Sequence, residues 1–120
     1  MGESVIRRLE GSAHTESLFG KHESAAALYA KTASMYRNRG MYESMTSAVT
    51  KACDCLINCD MKNEAIDGLR MISFVMAKEG KQDTAMALAE YLILVETRVG
   101  APGDLSAVSY YKFIIEYHHQ

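Results

Sequence analysis

The sequence predicts an all-α protein built from repeated helices, and three observations support this prediction. Turn-forming residues recur every twenty positions along the chain. Between these turns, apolar residues are spaced three and four positions apart, as on one face of a helix. No segment of the 120 residues shows the strict alternation of a half-buried strand. Because short turns make neighbouring helices antiparallel, we predict six helices, arranged as three helical hairpins in one domain over residues 1–120.

The turns define the repeat. Glycine occupies the turn position of most copies, and aspartate occupies it once: Gly20, Gly40, Asp60, Gly80 and Gly100. These residue types tolerate the left-handed backbone that follows a helix end. The next residues are acidic or hydroxyl-bearing, which suits a first helical turn with its free N–H groups. Each unit is therefore predicted to be one helix and one tight turn.

The helices follow in order between these turns. Their predicted ranges are 3–19, 22–38, 42–58, 62–78, 82–99 and 104–118. In the second helix the apolar spacing runs from Ala25 to Tyr36, and in the third it runs from Met45 to Leu56. Alanines recur where consecutive helices must approach closely, and larger residues fill the wider gaps.

The fourth and fifth helices show the same spacing, from Ala65 to Met76 and from Ala85 to Val99. Most of the eight methionines also occupy core spacing, and we predict that they fill the core rather than line a binding surface: Met35, Met41, Met45, Met61, Met71, Met76 and Met86 among them. A closed helical bundle is the alternative to an open stack of hairpins, because periodicity does not distinguish the two.

The sixth helix has an unusually wide apolar surface. At about 100° per residue, Ser109, Lys112, Glu116 and His119 form one narrow polar stripe. Val108, Tyr111 and Ile115 lie on one side of this stripe, and Tyr110, Phe113, Ile114 and Tyr117 lie on the other. Such a helix either folds back into a bundle, belongs to a longer solenoid, pairs with its copy in a homodimer, or docks another protein's helix.

Aromatic residues are enriched at interface centres, so the second side of this helix is the predicted partner-binding site. The predicted site residues are Tyr110, Phe113, Ile114 and Tyr117.

Residues 26–36, AALYAKTASMY, resemble the signature of tetratricopeptide-like repeats, above all the longer-helix form found in soluble NSF attachment proteins. Residues 20–25 resemble the small turn that opens the second helix of such a repeat. Two units here total forty residues, against about thirty-four in a tetratricopeptide repeat, and Thr32 stands where that family usually has alanine. The resemblance implies an α-α superhelix and an adaptor that works in membrane traffic or another cytosolic assembly.

Composition excludes several classes of function. The formal net charge is −2, without the basic excess that binds nucleic acid. The longest apolar run, residues 91–95, is too short to span a bilayer, so we expect no direct membrane insertion. Three clustered cysteines, Cys53, Cys55 and Cys59, are not a disulfide framework, so we predict a cytoplasmic protein whose cysteines act as small core residues.

Catalytic motifs are missing from the sequence. It contains no glycine-rich phosphate loop, no zinc-protease motif and no nucleophile elbow. We read His14 as a solvated residue, and His118 and His119 beside Glu116 as part of a frayed terminus rather than a metal site. We therefore predict a non-catalytic protein–protein interaction scaffold with no cofactor and no metal. The alternatives are a self-associating structural protein that pairs through the last helix, and a metal-using enzyme built on Cys55, Cys59 and the histidines.

Overall fold

The computed structural model describes residues 2–98, which form five α-helices and no strand in that range. The helices are α1 (Gly2–Leu18), α2 (His22–Asn38), α3 (Tyr42–Asn58), α4 (Lys62–Lys78) and α5 (Gln82–Arg98). The all-α prediction is confirmed, and every predicted end within the described range agrees with the observed end to within one residue. The predicted sixth helix, residues 104–118, lies outside the described residues. Among residues 2–98, no helix combines the length and the apolar character needed to cross a bilayer.

The four turns share one geometry. Their central residues all have positive φ: 78° at Gly20, 71° at Gly40, 62° at Asp60 and 80° at Gly80. At the first turn, the Lys21 N–H donates to the Glu16 carbonyl at 2.9 Å, and the Gly20 N–H donates to Ser17 at 3.0 Å. This pair of bonds is the Schellman motif, which satisfies the last carbonyls of a helix. The predicted left-handed turn position is confirmed in all four copies.

Lys21, the last residue of the first turn, also makes the first hydrogen bond of the next helix. The Lys21 carbonyl accepts the Ala25 N–H at 2.9 Å, which is the first hydrogen bond of α2. Neither Lys21 nor Met41 caps its helix with a side chain, but Glu23 and Glu43 lie in the first turns. Their charges lie beside the positive end of the helix dipole. Lys21 thus takes part in the end of one helix and the start of the next, and the three-residue connection makes neighbouring helices antiparallel.

The chain divides into two compact units, Met1–Ala65 and Ile66–Gln120, and the boundary falls in the first turn of α4, so Ala65 belongs to the first unit. In the first unit, α1, α2 and α3 share a core of small side chains around one tyrosine: Ala13, Ala25, Ala26, Tyr29, Ala52 and Cys55, with Leu28 and Leu56 packed against them. Ala13 of α1 and Cys55 of α3 belong to this one core, so α3 also packs against α1. The predicted role of alanine at close helix contacts is confirmed here.

In the second unit, α4 and α5 pack through larger side chains. The fully buried residues include Leu69, Met76, Leu88, Leu92 and Val95. The Ser73 hydroxyl donates to the Ala85 carbonyl at 3.0 Å, so a polar atom in this core is satisfied by the facing backbone.

The twenty-residue repeat extends to contacts between helices. In the first unit, the Cys53 thiol lies 3.9 Å from the Ala65 carbonyl, at the repeat position of the Ser73–Ala85 bond in the second unit. A second pair of contacts is also equivalent. Glu10 and Tyr36 of the first unit occupy the repeat positions of Arg70 and Glu96 in the second. The Tyr36 hydroxyl donates to Glu10, and Arg70 donates to Glu96. Consecutive helices within each unit therefore meet in one common register.

Candidate partner-binding surface

The site residues predicted from the sequence, Tyr110, Phe113, Ile114 and Tyr117, lie outside the described residues. Within residues 2–98, the repeat itself offers another way to find a binding surface. Because all five helices have the same length and register, each surface position can be compared with its equivalents twenty residues away. A position that stays exposed in every helix has no role in the core. If such a position changes from polar to apolar between helices, packing within the chain does not explain the change.

Each helix presents one stripe of four residues away from its buried face. We call it the outer stripe, and its members are spaced at i, i+4, i+7 and i+11, which places them on one side of the helix. The outer stripes are Arg7, Gly11, His14 and Leu18 in α1; Ala27, Lys31, Ser34 and Asn38 in α2; Ser47, Lys51, Asp54 and Asn58 in α3; Asp67, Met71, Phe74 and Lys78 in α4; and Ala87, Tyr91, Leu94 and Arg98 in α5. All are exposed except Phe74 and Tyr91, which are half-buried.

The middle of the outer stripe changes character between the two units. In α1, α2 and α3 its two central residues are small or polar: Gly11 and His14, Lys31 and Ser34, Lys51 and Asp54. In α4 and α5 both are large and apolar. Met71 is 70% exposed and Leu94 is 59% exposed. Lys51 and Asp54 occupy the positions of Met71 and Leu94 in the same register, so folding does not require an apolar residue at these two exposed positions. Phe74 and Tyr91 are half-buried beside them. Exposed apolar residues that lie together mark interaction sites.

The outer stripe of α4 combines an apolar centre with a cation. The Lys78 Nζ atom lies 5.0 Å from the centroid of the Phe74 ring, within the range of a cation–π interaction. Asp67 lies at the other end of the stripe. On α5, Leu94 lies between Tyr91 and Arg98, and tyrosine and arginine are enriched among the residues that dominate binding energy.

The first unit carries one strongly exposed apolar pair, at the end of α1. Leu18 and Phe19 extend into solvent at the first turn. The equivalent residues at later turns are polar at one or both positions, as at Asn38 with Arg39. This pair is a second apolar feature of the described surface, and it lies on a turn rather than along a helix.

A small depression is lined by Ile6, Arg7, Tyr36, Met41 and Ser44, near the start of α1. Its volume is about 120 Å³. Pockets that enclose a cofactor or a drug-sized molecule are usually at least about 300 Å³. This depression is therefore too small to hold such a ligand.

Cys53 and Cys55 lack the properties of nucleophiles. Cys53 and Cys55 are buried, as predicted, and Cys59 is half-buried. Burial, together with the charge of Asp54, raises the pKa of the Cys53 thiol to about 12, and burial also raises the pKa of Cys55. Because the thiolate is the reactive form, both thiols are chemically unreactive at neutral pH.

No group of three histidine, cysteine or acidic side chains capable of holding a metal ion is found in the part of the chain that the structure describes. His14 is exposed on α1, and His22 is half-buried at the start of α2. His118 and His119 lie outside the described residues, as does Glu116.

The methionine prediction was partly wrong. Met45 and Met76 are buried, as predicted, but Met71 is exposed and Met41 is exposed at a turn. Met71 has helical spacing with Phe74 and Lys78, and that spacing defines a face without saying whether the face is buried. Comparison with Lys51 and Lys31, one and two repeats earlier, would have identified Met71 as a surface residue.

Comparison of the chain with models of known protein families, with characterised proteins and with solved structures gave no significant match. The resemblance of residues 26–36 to tetratricopeptide-like repeats stays a prediction.

Proposed function

We propose that the protein is a non-catalytic interaction scaffold, an adaptor that recognises a helix or peptide of another protein. The observation that carries this proposal is the change in the outer stripe, which is small or polar at its centre in α1–α3 and apolar in α4 and α5. The proposed partner contacts Met71 and Phe74 on α4, or Tyr91 and Leu94 on α5.

The length and spacing of the outer stripe suit a helical partner. From Asp67 to Lys78 the stripe extends over about 16 Å, or three turns of helix. Its two apolar residues, Met71 and Phe74, are three positions apart, which is one interval of the anchor spacing of an amphipathic helix. Each apolar side chain that becomes fully buried contributes about 1.5–3 kcal/mol, and a preformed helix loses little conformational entropy on binding.

We further propose that this scaffold is of the tetratricopeptide-like class. It would be an open α-α superhelix that resembles soluble NSF attachment proteins. Its support is the resemblance of residues 20–36 and the common register of consecutive helices. We further propose that the protein acts in the cytoplasm, in membrane traffic or another protein assembly, without a cofactor. A nucleic-acid partner is disfavoured by the net charge of −2.

Two substitutions test the apolar stripes, and the repeat supplies their design. Met71→Lys introduces the residue found at Lys51, and Leu94→Asp introduces the residue found at Asp54. Matched controls make the same kinds of change in the first unit, as Gly11→Lys and Ser34→Asp. All four positions are exposed in helices, so all four variants are expected to fold.

Partners are captured on the wild-type chain, identified by mass spectrometry and purified for titration calorimetry. We expect the double variant Met71→Lys/Leu94→Asp to weaken binding at least about tenfold, because two apolar contacts are lost. The control double variant should bind like wild type. Equal binding by both double variants, or equal loss in both, would contradict the proposal.

Self-association through the last helix is the second candidate function, favoured by the wide apolar arc of residues 104–118. Light scattering over a range of concentrations separates it from the adaptor. A dimer that persists in the Met71→Lys/Leu94→Asp variant and dissociates in Tyr110→Ser/Phe113→Ser would support it. A monomer at every concentration would exclude it.

A further inference from the structure

The small depression near the start of α1 lies where three helices of the first unit meet. Ile6 and Arg7 belong to α1, Tyr36 belongs to α2, and Met41 and Ser44 lie at the start of α3. Its volume of about 120 Å³ is close to that of an engineered protein cavity of about 150 Å³ that binds benzene. The depression therefore has room for one apolar side chain of a larger ligand.

The depression has an apolar interior. Ile6 is 1% exposed, so the depression reaches a residue of the core. Met41 is 40% exposed, so part of its side chain is open to solvent at the wall. The Tyr36 hydroxyl donates to Glu10, and this hydrogen bond holds the tyrosine side chain in place. An apolar side chain that enters the depression is removed from water against preformed apolar atoms.

Arginines are concentrated at the same corner of the unit. Arg7 lines the depression, and Arg8 follows it on α1. Arg37 and Arg39 follow Tyr36 at the end of α2. Arg37 is half-buried, and the other three arginines are exposed. The apolar depression is thus accompanied by cations from two helix ends.

Carboxylates are fewer than arginines at this corner. The described side chains of residues 4–10 and 36–44 include four arginines and two glutamates, Glu10 and Glu43, which gives 4 − 2 = +2. The whole chain has a formal net charge of −2. The depression therefore lies in a locally positive part of an acidic protein, and such a surface attracts an acidic ligand.

The repeat shows that folding does not require these cations. At the position of Arg7, the later helices have uncharged or acidic residues, all of them exposed: Ala27, Ser47, Asp67 and Ala87. At the position of Arg39, the turn after α4 has Glu79. Acidic residues are therefore compatible with the fold at both positions.

We propose that this depression binds an acidic peptide segment of another protein through one apolar anchor residue. The anchor, a side chain of about the size of leucine, fills the depression against Ile6 and Met41. Acidic residues on either side of the anchor pair with Arg7 and Arg39. A guanidinium binds a carboxylate through two parallel hydrogen bonds, so these pairs orient the peptide as well as attract it.

This site goes beyond the proposed function. It lies in the first unit and uses none of the residues proposed to contact a partner on α4 and α5. Both peptides described below should bind the Met71→Lys/Leu94→Asp variant as they bind the wild type. Failure of this site and failure of the proposed function are therefore distinguishable.

Two labelled synthetic peptides test the anchor by fluorescence anisotropy with the full chain. The first has one central leucine between runs of glutamate and glycine, and the second has alanine in place of the leucine. We expect the leucine peptide to bind about tenfold more tightly, because leucine buries more apolar surface than alanine. Equal affinities, or no binding of the leucine peptide, would overturn the proposal.

Charge variants test the arginine contacts. Arg7→Asp introduces the residue found at Asp67, and Lys31→Asp makes the same change of charge on the outer stripe of α2. Both positions are exposed, and circular dichroism checks that both variants fold. Arg7→Asp should weaken binding of the leucine peptide about fivefold or more at low salt, and Lys31→Asp should weaken it less than about twofold. Equal effects would show general charge attraction and overturn the site.

A third variant fills the depression. Ser44→Leu places a larger side chain at its wall, so it should weaken binding of the leucine peptide and leave binding of the alanine peptide unchanged. Unchanged binding of the leucine peptide would contradict the anchor. In light scattering without peptide, a dimer that dissociates in Arg7→Asp would assign the depression to a second copy of the chain and overturn the proposal.

Discussion

The ion pair between Arg70 and Glu96 gives a sharp test of how α4 and α5 are held together. The Arg70 Nη2 atom donates to the Glu96 carboxylate at 3.0 Å. Glu96 is 5% exposed, one of the few buried charged or polar residues among those described, while about a third of the Arg70 side chain is exposed. Removing the arginine therefore takes away the cation that lies 3.0 Å from a buried carboxylate.

The expected magnitude follows from this unequal burial. Breaking a fully buried pair from one side costs about 3–5 kcal/mol, and exposed pairs contribute about 0–1 kcal/mol. Because water reaches Arg70, we expect Arg70→Ala to lower the free energy of unfolding by about 2 kcal/mol, between these limits. Glu96→Leu should cost less, since the remaining arginine can turn towards solvent.

The repeat again supplies the compensating variant. The first unit has Ala30 and Leu56 at the equivalent positions. The double variant Arg70→Ala/Glu96→Leu should therefore recover most of the stability lost in Arg70→Ala, since replacing both members of a buried pair with apolar residues is often neutral. Urea unfolding followed by circular dichroism measures all three variants and closes a double-mutant cycle.

Two results would refute this reasoning. If Arg70→Ala costs less than about 0.5 kcal/mol, the pair behaves like a solvent-exposed one. If the double variant is no more stable than Arg70→Ala, the loss comes from packing of the arginine side chain and not from the charge of the buried carboxylate.

Two further predictions concern the turns and the core cysteine. Gly40 has φ of 71°, so Gly40→Ala should destabilise the protein by about 1–2 kcal/mol, whereas Gly11→Ala, in the open middle of α1, should stabilise it by up to about 1 kcal/mol. Burial raises the pKa of the Cys53 thiol from its ordinary 9.0 to about 12, so above pH 9 the unfolded chain binds fewer protons than the folded one. The free energy of unfolding should then fall by up to about 1.4 kcal/mol per pH unit between pH 9 and 12. Cys53→Ala should remove this part of the slope, and Cys59→Ala should retain it.

The free energy of unfolding, measured by urea unfolding of each variant, checks both predictions. The glycine prediction fails if the two alanine variants change stability in the same direction. For the cysteine, the comparison is between slopes rather than absolute stabilities, because Cys53→Ala also changes packing. Equal slopes for Cys53→Ala and wild type above pH 9 would contradict the role of the thiol.

The binding proposal depends on a contrast that a single helix would not reveal. Met71 and Leu94 taken alone are exposed apolar residues of an ordinary kind. They indicate a binding surface because Lys51 and Asp54 occupy the same positions one and two repeats earlier. Those two residues show that charged side chains are compatible with the fold at these positions. The same comparison provides substitutions whose structural effect is already represented in the chain.

The sequence alone determined the helices and their ends. These features are local, since a turn residue such as Gly20 or Asp60 needs only its own φ angle, and a helix needs only the spacing of its apolar residues. The buried cysteines and the close-packed alanines were also predicted, because small residues at core spacing have few alternatives.

Only the tertiary structure decided which faces are covered and which polar groups meet. Helical spacing places Met71 on a face with Phe74, but the arrangement of neighbouring helices determines that this face is open to solvent. The burial of Glu96 and its pairing with Arg70 depend on contact between α4 and α5, across twenty-six residues of chain. Periodicity within one helix contains no information about that contact, because the register between helices is set by packing in three dimensions.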